Sequence, residues 1–503
     1  MAALTDAFTT EDLTPVLLIG SLVLIVSVAA VRLSVRSGFP SLLLYLFIGV
    51  LLGEGGLGIK FDSGELTQVL GYSALVLILA EGGLTTSWPG IRSAVGPAVV
   101  LSTVGVVVSV VVVAVAAHWV LGISWELSML LGAILSSTDA AAVFSVLRRV
   151  PLPPQISGML EAESGFNDAP VVILVVALAQ NATHVGHVEP WWELLFHAVT
   201  ELTGGAAIGL LVGWLGGRLM KTLAGGSSGL FSIGVVAITV LAYAAAREAH
   251  TSGFIAVYLA GLVIGNSQLP HRAAVHGFTT ALGWLAQIGL FVMLGLLASP
   301  SGFASQFLPA LLIGSVLLLL ARPLSVLVSL TPFRYPLRTQ AFLSWAGLRG
   351  AVPVVLATVP MTIGTPSFEW IFNLVFVLVV VFTFVQAPTL PWVAKRLGVD
   401  EPHLATGLQV DATPLEELGA DIIQVEIGPA SKLGGVRIFE LRLPPGANVT
   451  LIVRDEKGFV PKADTALRHG DQLLIVTTDA VREHTEQRIR AVSEHGRLAG
   501  WRD

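Results

Sequence analysis

Long apolar segments fill roughly the first 400 residues and constrain the fold more than any other feature. About 20 consecutive apolar residues are enough for a helix to cross the ~30 Å of bilayer hydrocarbon. About thirteen segments can be marked, at 13–31, 39–53, 66–86, 96–120, 126–147, 157–180, 194–217, 228–246, 253–266, 279–298, 306–330, 340–360 and 370–388. Because backbone groups find no water inside a bilayer, each segment is predicted to be an α-helix. The chain is predicted to be a polytopic membrane protein with an all-α membrane domain.

Composition divides the chain into two parts. Hydrophobic residues make up 54% of the sequence and charged residues 12%, against roughly 25% charged residues in soluble domains. The charged residues concentrate in about the last 100 positions. We predict a transmembrane domain over 10–396, a linker rich in glycine, proline and acidic residues over 397–419, and a soluble domain over 420–503. Because the chain has no cysteine, disulfides, thiolate metal sites and thiol catalysis are excluded.

Positive charges between the segments assign a direction to the spans. The first segment follows an acidic leader, so we expect it to stay as a span and not to be cleaved as a signal. If thirteen spans alternate, only Lys60 and Arg247 fall on one side of the membrane. The other side carries Arg32, Arg36, Arg92, Arg148, Arg149, Arg218, Lys221, Arg272, Arg334, Arg338, Lys395 and Arg396. By the positive-inside rule this side is the cytoplasm. The N-terminus is then outside the cell membrane, and the C-terminal domain is cytoplasmic.

Few ionisable residues lie within the spans. An ionisable group at the centre of a span costs about 2.5–3.5 kcal/mol on insertion scales and marks an ion pathway or a buried pair. The acids at this depth outnumber the bases: they are Glu81, Asp139, Glu161, Glu163 and Asp168, against Arg322 and Arg349. Some acids must therefore be protonated, solvated or bound to a cation. This imbalance favours a cation pathway.

The segment "ESGFNDAP", Glu163 to Pro170, places several polar residues on one helix. Ser164 and Asp168 are four residues apart and share a face of the helix. Glu163 and Asn167 are also four apart and share the adjacent face. One face can offer a hydroxyl and a carboxylate to an ion, while its neighbour makes a structural pair. The alternative is that all four side chains only hold helices together, as polar residues often do in membranes.

The fifth and twelfth spans are predicted to be broken helices. Both carry small or polar residues where a continuous helix would favour leucine, in "SSTDAAA" around Asp139 and "GLRGAVP" around Arg349. Their separation by seven spans fits two inverted halves whose broken helices cross at the midplane. Asp139 and Arg349 then have the charges needed to offset the exposed helix ends. The alternative is two unrelated packing helices rich in glycine and alanine.

Four motifs in this order, "STDAAAVF", "ESGFNDAP", "ARPLSV" and "GLRGAVP", resemble the monovalent cation/proton antiporters of the NhaP and sodium/proton-exchanger type over roughly 10–395. The resemblance implies a homodimer in which a scaffold holds a moving core. It implies that the transported ion binds at Asn167 and Asp168 and that Thr138 and Ser164 supply further oxygen ligands. It also implies a Glu163–Arg322 pair and an assisting acid at position 81, which is Glu81. Many members have proline where this chain has Ala140, which leaves the position of the helix break open.

The tail resembles the TrkA-C (RCK-C) module of potassium-transport regulators. Its segments read as a strand, a helix, two or three strands and a closing amphipathic helix, which predicts a small α+β domain. In that family the module commonly dimerises, and the resemblance implies a small regulatory ligand such as cyclic di-AMP. The alternative is a purely structural role in dimerisation. The tail has no GxGxxG fingerprint for a dinucleotide.

These features favour a secondary antiporter that exchanges K⁺, or alternatively Na⁺, for H⁺. Because an amide carries no titrating proton, only Asp168 of the Asn167–Asp168 pair changes its bound charge, which predicts electroneutral exchange. A gated cation channel would need a filter, and no TVGYG-like loop occurs. An intramembrane hydrolase would need a nucleophile motif such as GxSxG next to His197, and none accompanies that residue. We expect no resident cofactor, no nucleic-acid partner, and contact with membrane lipid.

Overall fold

A computed structural model of the chain describes residues 10–37, 40–59, 64–139, 142, 152–183, 191–223, 227–267, 269–363, 368–399, 407–408, 420–429, 431–454, 457–478 and 481–496. Within these residues nine helices are long and apolar enough to cross a membrane, and four shorter apolar helices accompany them. Together they correspond to the thirteen predicted segments. The predicted all-α membrane domain is confirmed.

The helices are numbered here in chain order. The first nine are α1 (Thr10–Ser37), α2 (Ser41–Leu52), α3 (Gly64–Thr85), α4 (Trp88–Ile91), α5 (Val95–Val100), α6 (Val106–Leu121), α7 (Trp125–Ile134), α8 (Pro154–Thr183) and α9 (Trp191–Thr222). The next nine are α10 (Ser228–Glu248), α11 (Gly253–Gly265), α12 (Arg272–Leu297), α13 (Phe303–Val316), α14 (Arg322–Leu330), α15 (Leu337–Trp345), α16 (Ala351–Leu356), α17 (Val359–Ile363) and α18 (Glu369–Leu397).

The membrane helices pack as two groups. The scaffold group consists of α1–α3 and α9–α12, whose members contact one another far more than they contact the rest. The core group consists of α4–α8 and α13–α18. Helices of the two groups meet along a seam formed chiefly by α3, α11 and α12 on one side and α8, α16 and α17 on the other. This seam is the boundary between the two groups.

Two spans of the core group are broken, as predicted. Helix α7 ends at Ile134, and residues 137–139 continue without helical structure. Helix α15 ends at Trp345, and α16 begins only at Ala351. The two unwound segments cross, and the Asp139 backbone N–H donates a hydrogen bond to the Leu348 carbonyl oxygen at 2.9 Å. Ala140, where the break departs from the family pattern, lies outside the described residues.

Two π-helical turns interrupt neighbouring spans of the core group. One covers Leu101–Gly105 between α5 and α6, and the other covers Leu317–Ala321 between α13 and α14. Such turns carry one residue more per turn than an α-helix and occur often at functional sites. The second turn lies directly before Arg322. It therefore sets the direction in which that side chain leaves the helix.

The C-terminal domain is the predicted small α+β unit. Its strands are β1 (Gly407–Leu408), β2 (Ala420–Glu426), β3 (Ala447–Arg454), β4 (Lys457–Phe459) and β5 (Gln472–Thr478), followed by α19 (Arg482–His495). They form one antiparallel sheet in the order β1-β2-β5-β3-β4. Alternate residues of β5, including Leu473 and Ile475, point into an apolar core shared with α19. Strand β1 falls within the predicted linker 397–419.

The prediction of a helix after the first strand of this domain is wrong. The segment instead turns at 432–435 and forms only a short 3₁₀-helix, Ile438–Leu441. Gly434 and Gly435 lie side by side here, and each glycine costs about 1 kcal/mol inside a helix. Gly435 also adopts φ +84°, which an α-helix does not contain. The apolar residues that suggested a helix are buried from a compact loop instead.

Candidate ion-binding site

A cavity of about 290 Å³ lies in the seam between the scaffold and core groups. The core group contributes Thr138, Asp139, Glu161, Ser164, Gly165, Asp168, Ala351 and Val352 to its walls. The scaffold group contributes Ser41, Leu75, Ile78, Leu79, Glu81, Gly82, Thr85, Thr86, Tyr258, Thr280, Trp284, Gln287 and Phe291. Four carboxylates therefore face one space inside the membrane domain. Any movement between the groups changes the shape of this cavity.

Asp168 lies midway along α8 and is 6% exposed. The Ser137 hydroxyl, in the unwound segment after α7, donates a hydrogen bond to Oδ1 of Asp168 at 2.7 Å. Across the part of the chain that the structure describes, no lysine, arginine or histidine forms an ion pair with this carboxylate. A buried carboxylate without a cationic partner must bind a proton or a cation to avoid a large desolvation cost. Asp168 is placed to do either.

Ser164 and Thr138 lie beside Asp168 and line the same cavity. The Ser164 hydroxyl donates to the Thr138 carbonyl oxygen at 3.1 Å, which fixes α8 against the unwound segment. Hydroxyl, carbonyl and carboxylate oxygens are the ligands that hard cations prefer. The structure thus brings the predicted oxygen donors at positions 138, 164 and 168 to one wall.

Asn167 is placed behind this wall and does not line the cavity. Its Nδ2 donates to the Thr138 hydroxyl oxygen at 2.6 Å, and that hydroxyl donates to Oε1 of Glu163 at 3.3 Å. Oδ1 of Asn167 is buried without a hydrogen-bond partner among the described residues. Asn167 therefore reaches the cavity through Thr138, whose hydroxyl it orients.

Glu163 points away from the cavity and pairs with Arg322. The Nη1–Oε1 and Nη2–Oε2 distances are 2.5 and 2.8 Å, so the contact is bidentate. Nη2 of Arg322 also donates to the Leu343 carbonyl oxygen at 3.3 Å, and both side chains are at most 5% exposed. Bidentate guanidinium–carboxylate pairs combine strength with fixed geometry. This pair ties α8 to α14 and leaves no charge free for an ion.

Arg349 and Asp139 occupy the crossing of the broken spans. Nη1 of Arg349 donates to the carbonyl oxygens of Ser136 and Ser137, at 2.6 and 2.5 Å. These carbonyls follow the C-terminal end of α7, where partial negative charge accumulates. Oδ1 of Asp139 accepts the Ala142 backbone N–H at 3.1 Å. Both charges thus stabilise exposed backbone groups, although Asp139 also reaches the cavity.

Gly350 makes the crossing possible. A side chain there would overlap Oδ2 of Asp139, because the backbone passes directly against that carboxylate. Glycine is the residue that permits such a close approach.

Glu81 lies on the opposite wall of the cavity, on α3 of the scaffold group. Its carboxylate packs against the backbone of Gly283 on α12, where any side chain would overlap Oε2. The structure therefore brings Glu81 to the same cavity as Asp168, but from the other helix group. Acids of both groups therefore line one cavity.

Several cavity residues were missed by sequence reasoning. Ser137 lies within "SSTDAAA" but carries no spacing signal that assigns it to the site, although it is a hydrogen-bond donor to Asp168. Tyr258, Trp284 and Gln287 lie on scaffold helices about 100 residues away in the chain. Glu161 is one of the acids predicted at membrane depth, and no motif in the sequence gives it a role. Its spacing of seven residues from Asp168 was the signal available, since i and i+7 share a helix face.

Comparison with known families and structures gives one consistent result. The family described as "Sodium/hydrogen exchanger, transmembrane" matches residues 22–396. The chain belongs to the sodium/hydrogen exchanger family. A second family, the TrkA-C domain, matches residues 422–490 of this exchanger.

The exchanger resembles named relatives over most of its length. It is 37% identical to the K(+)/H(+) antiporter NhaP of Alkalimonas amylolytica over 92% of this chain and 80% of that protein. It is 35% identical to the K(+)/H(+) antiporter NhaP2 of Shewanella oneidensis over 91% and 80%. The solved sodium proton antiporter MjNhaP1 of Methanocaldococcus jannaschii shares the fold with a TM-score of 0.66, at 21% identity, over 76% of this chain and 99% of that one. The exchanger is a multi-pass cation/proton antiporter and not an enzyme.

Proposed function

We propose that the protein exchanges K⁺ for H⁺, with both ions binding in turn to Asp168. The observation that carries this proposal is the cavity in the seam, where the buried Asp168 carboxylate accepts a serine hydroxyl and has no cationic partner in the described part of the chain. Ser164 and Thr138 supply further oxygens for the cation. Protonation of Asp168 releases the cation, and cation binding releases the proton. Competition for one carboxylate couples the two fluxes.

Movement of the core group against the scaffold group supplies alternating access. Asp168, Asp139 and the crossing of the broken spans all belong to the core group, so they move together. The scaffold wall, with Glu81 and the α12 residues, stays behind. Since the cavity is lined by both groups, such a movement opens it to one side of the membrane as it closes the other.

The choice of K⁺ rests on likeness to relatives. Two relatives that are named K(+)/H(+) antiporters resemble the chain over more than nine-tenths of its length, tail included. Na⁺ is the second candidate, because the matched family is named for sodium.

Initial rates decide between the two cations. The purified protein is reconstituted in vesicles, and proton movement is followed with K⁺, Na⁺, Rb⁺ or Li⁺ as the only cation. We expect K⁺ and the similarly sized Rb⁺ to drive exchange best. Faster rates with Na⁺ and Li⁺ would replace K⁺ by Na⁺. A cation current without coupled proton flux would favour a channel.

The exchange is proposed to be electroneutral, with one cation for one proton. In the Asn167–Asp168 pair only the carboxylate can change its charge, because an amide has no proton to release. The test is an imposed membrane potential with equal K⁺ and equal pH on both sides, set by an ionophore for an ion that the protein does not carry. No proton movement is expected. Movement that follows the voltage and requires the protein contradicts the one-for-one exchange.

The assembly and orientation are part of the proposal. The charge distribution supports an external N-terminus and a cytoplasmic C-terminal domain. Helices α1 and α9 are the least buried of the described spans. Only 6% and 11% of the residues in their most apolar stretches are buried inside the monomer. This supports a homodimer in which part of that surface meets a second copy and the remainder meets lipid. The TrkA-C domain is proposed to regulate exchange by dimerising or by binding a small ligand such as cyclic di-AMP.

A further inference from the structure

Glu161 lies on the same face of α8 as the ion-binding residues. It precedes Ser164 by three residues and Asp168 by seven, which places it about 10 Å from Asp168 along the helix axis. It lines the same cavity. Within the described residues, its carboxylate has neither an ion pair nor a hydrogen bond, in contrast to Glu163. An unpaired acid at membrane depth marks a functional site by default.

Tyr258, on α11 of the scaffold group, lies across the cavity from Glu161. The side chain is 2% exposed, yet its Oη has no hydrogen-bond partner among the residues that the structure describes. Thr86 lines the same cavity, and its hydroxyl donates to the Gly82 carbonyl oxygen at 2.6 Å. A buried hydroxyl without a partner costs about 1–3 kcal/mol, so a missing partner at this position needs an explanation.

The aromatic ring of Tyr258 is held firmly. It packs against the backbone of Gly165, where any side chain would overlap the ring. Phe166 meets the same ring edge-on, with the ring centroids 5.6 Å apart. The position of Oη is therefore fixed by packing and does not depend on a hydrogen bond. Tyr258 and Glu161 line the same cavity.

We propose that Glu161 and the Tyr258 hydroxyl form a second site for the transported monovalent cation, on the N-terminal side of Asp168 along α8. This inference rests on the proposed cation exchange at Asp168. The charge distribution assigns that end of α8 to the cytoplasm, so the second site receives the cation from the cytoplasmic face. The carboxylate and phenol oxygens supply two ligands, and water in the cavity supplies the others. The cation then passes to Asp168, two helical turns further in.

A second site of this kind affects the two faces of the membrane differently. Glu161→Gln removes the charge at nearly constant size, and Tyr258→Phe removes one oxygen while keeping the ring. Each is expected to raise the KM for K⁺ at the cytoplasmic face, about tenfold for Glu161→Gln, which corresponds to about 1.4 kcal/mol. The KM at the outer face and the maximal rate are expected to stay within about twofold. Everted and right-side-out membrane vesicles give the two values.

Matched controls separate a local effect from a general one. Glu65→Gln changes an exposed glutamate at the start of α3, and Tyr243→Phe changes a tyrosine that packs on Phe254 outside the cavity. Both are expected to leave both KM values unchanged. The double variant Glu161→Gln/Tyr258→Phe is expected to have a cytoplasmic KM for K⁺ within about twofold of that of Glu161→Gln. The effects of two residues in one site do not add.

Two results would overturn the second site. One is an unchanged cytoplasmic KM in both single variants, and the other is an equal rise at both faces, which would mean that Glu161 acts on Asp168 itself. Asp168→Asn distinguishes this failure from a failure of the proposed function. If Asp168→Asn is inactive while Glu161→Gln behaves as wild type, only the second site is wrong. If Asp168→Asn still exchanges ions, the proposed function fails and the second site with it.

Discussion

Two carboxylates five residues apart on α8 have opposite surroundings. Glu163 meets the Arg322 guanidinium in a bidentate contact at 2.5 and 2.8 Å. Among the described residues, Asp168 has one hydrogen-bond donor, the Ser137 hydroxyl at 2.7 Å, and it lines the cavity. Both side chains are almost fully buried. The partner, and not the acid or its depth, therefore separates a structural charge from one that can exchange ions.

This contrast also explains why one helix can combine both tasks. The bidentate contact gives Glu163 a positively charged partner and ties α8 to α14. The neutral partner of Asp168 orients the carboxylate without satisfying its charge. If the two surroundings were exchanged, the helix would be neither held nor able to exchange ions.

The largest expected effect comes from Asp168→Asn. The amide keeps the size of the side chain but cannot carry a cation and a proton in turn, so exchange is expected to fall below detection. The measurement is K⁺-dependent proton flux in reconstituted vesicles, with insertion and assembly checked by size-exclusion chromatography. Wild-type flux in a folded Asp168→Asn protein would remove Asp168 from the mechanism.

Separating Glu163 from Arg322 is expected to affect stability before activity. Glu163→Ala or Arg322→Ala alone strands a buried charge and is expected to lower the free energy of unfolding by about 3–5 kcal/mol. Thermal unfolding in detergent measures the loss, with the exposed Glu65→Ala as the control. The double variant is expected to lose less than the sum of the two single losses. Strictly additive losses would contradict the pair.

A second acid beside Asp168 is expected to make exchange sensitive to voltage. Asn167→Asp adds a carboxylate that can carry an additional proton in each cycle. Moving one more charge across the membrane couples exchange to the potential by about 2.3 kcal/mol per 100 mV. Proton flux under an imposed potential, with equal K⁺ on both sides, measures the change against wild type. A folded, active variant that ignores the potential would show that position 167 does not set the stoichiometry.

The smallest expected effect comes from Ser137→Ala. Loss of the hydroxyl donor disfavours the charged carboxylate of Asp168, so K⁺ binding is expected to weaken by about 1 kcal/mol, or roughly fivefold in KM. Stability is expected to change little, because water from the cavity can replace the donor. Ser136→Ala, whose hydroxyl donates to the Ala133 carbonyl oxygen at 2.7 Å, is the matched control. An equal change in KM from both variants would deny Ser137 a specific role.

The sequence predicted those parts of the site that lie close together in the chain. Spacing alone placed Ser164 and Asp168 on one face, and the small residues around Asp139 and Arg349 predicted the two helix breaks. The Glu163–Arg322 pair came only from the resemblance, because no local pattern connects residues 159 positions apart.

The scaffold wall of the cavity could not be predicted in this way. Tyr258, Trp284 and Gln287 come together only through the packing of α11 and α12, and in an apolar helix nothing marks which face meets a cavity. The tail shows the reverse error. Its apolar residues suggested a helix, but the local preference for helix is weak, and two adjacent glycines favour a compact loop.

The π-helical turn Leu317–Ala321 gives this span one position at which its length can change. Each residue of an α-helix turns the chain by about 100°, so removing a residue from ordinary helix rotates every side chain beyond it by about that angle. A π-turn holds about one residue more than the α-helical turn that it replaces. Removing one leucine from this run would therefore relax the turn to an ordinary helix and keep the Arg322 guanidinium directed at Glu163. The same deletion in the α-helix before the turn would change the rotational phase of the whole C-terminal half of the span.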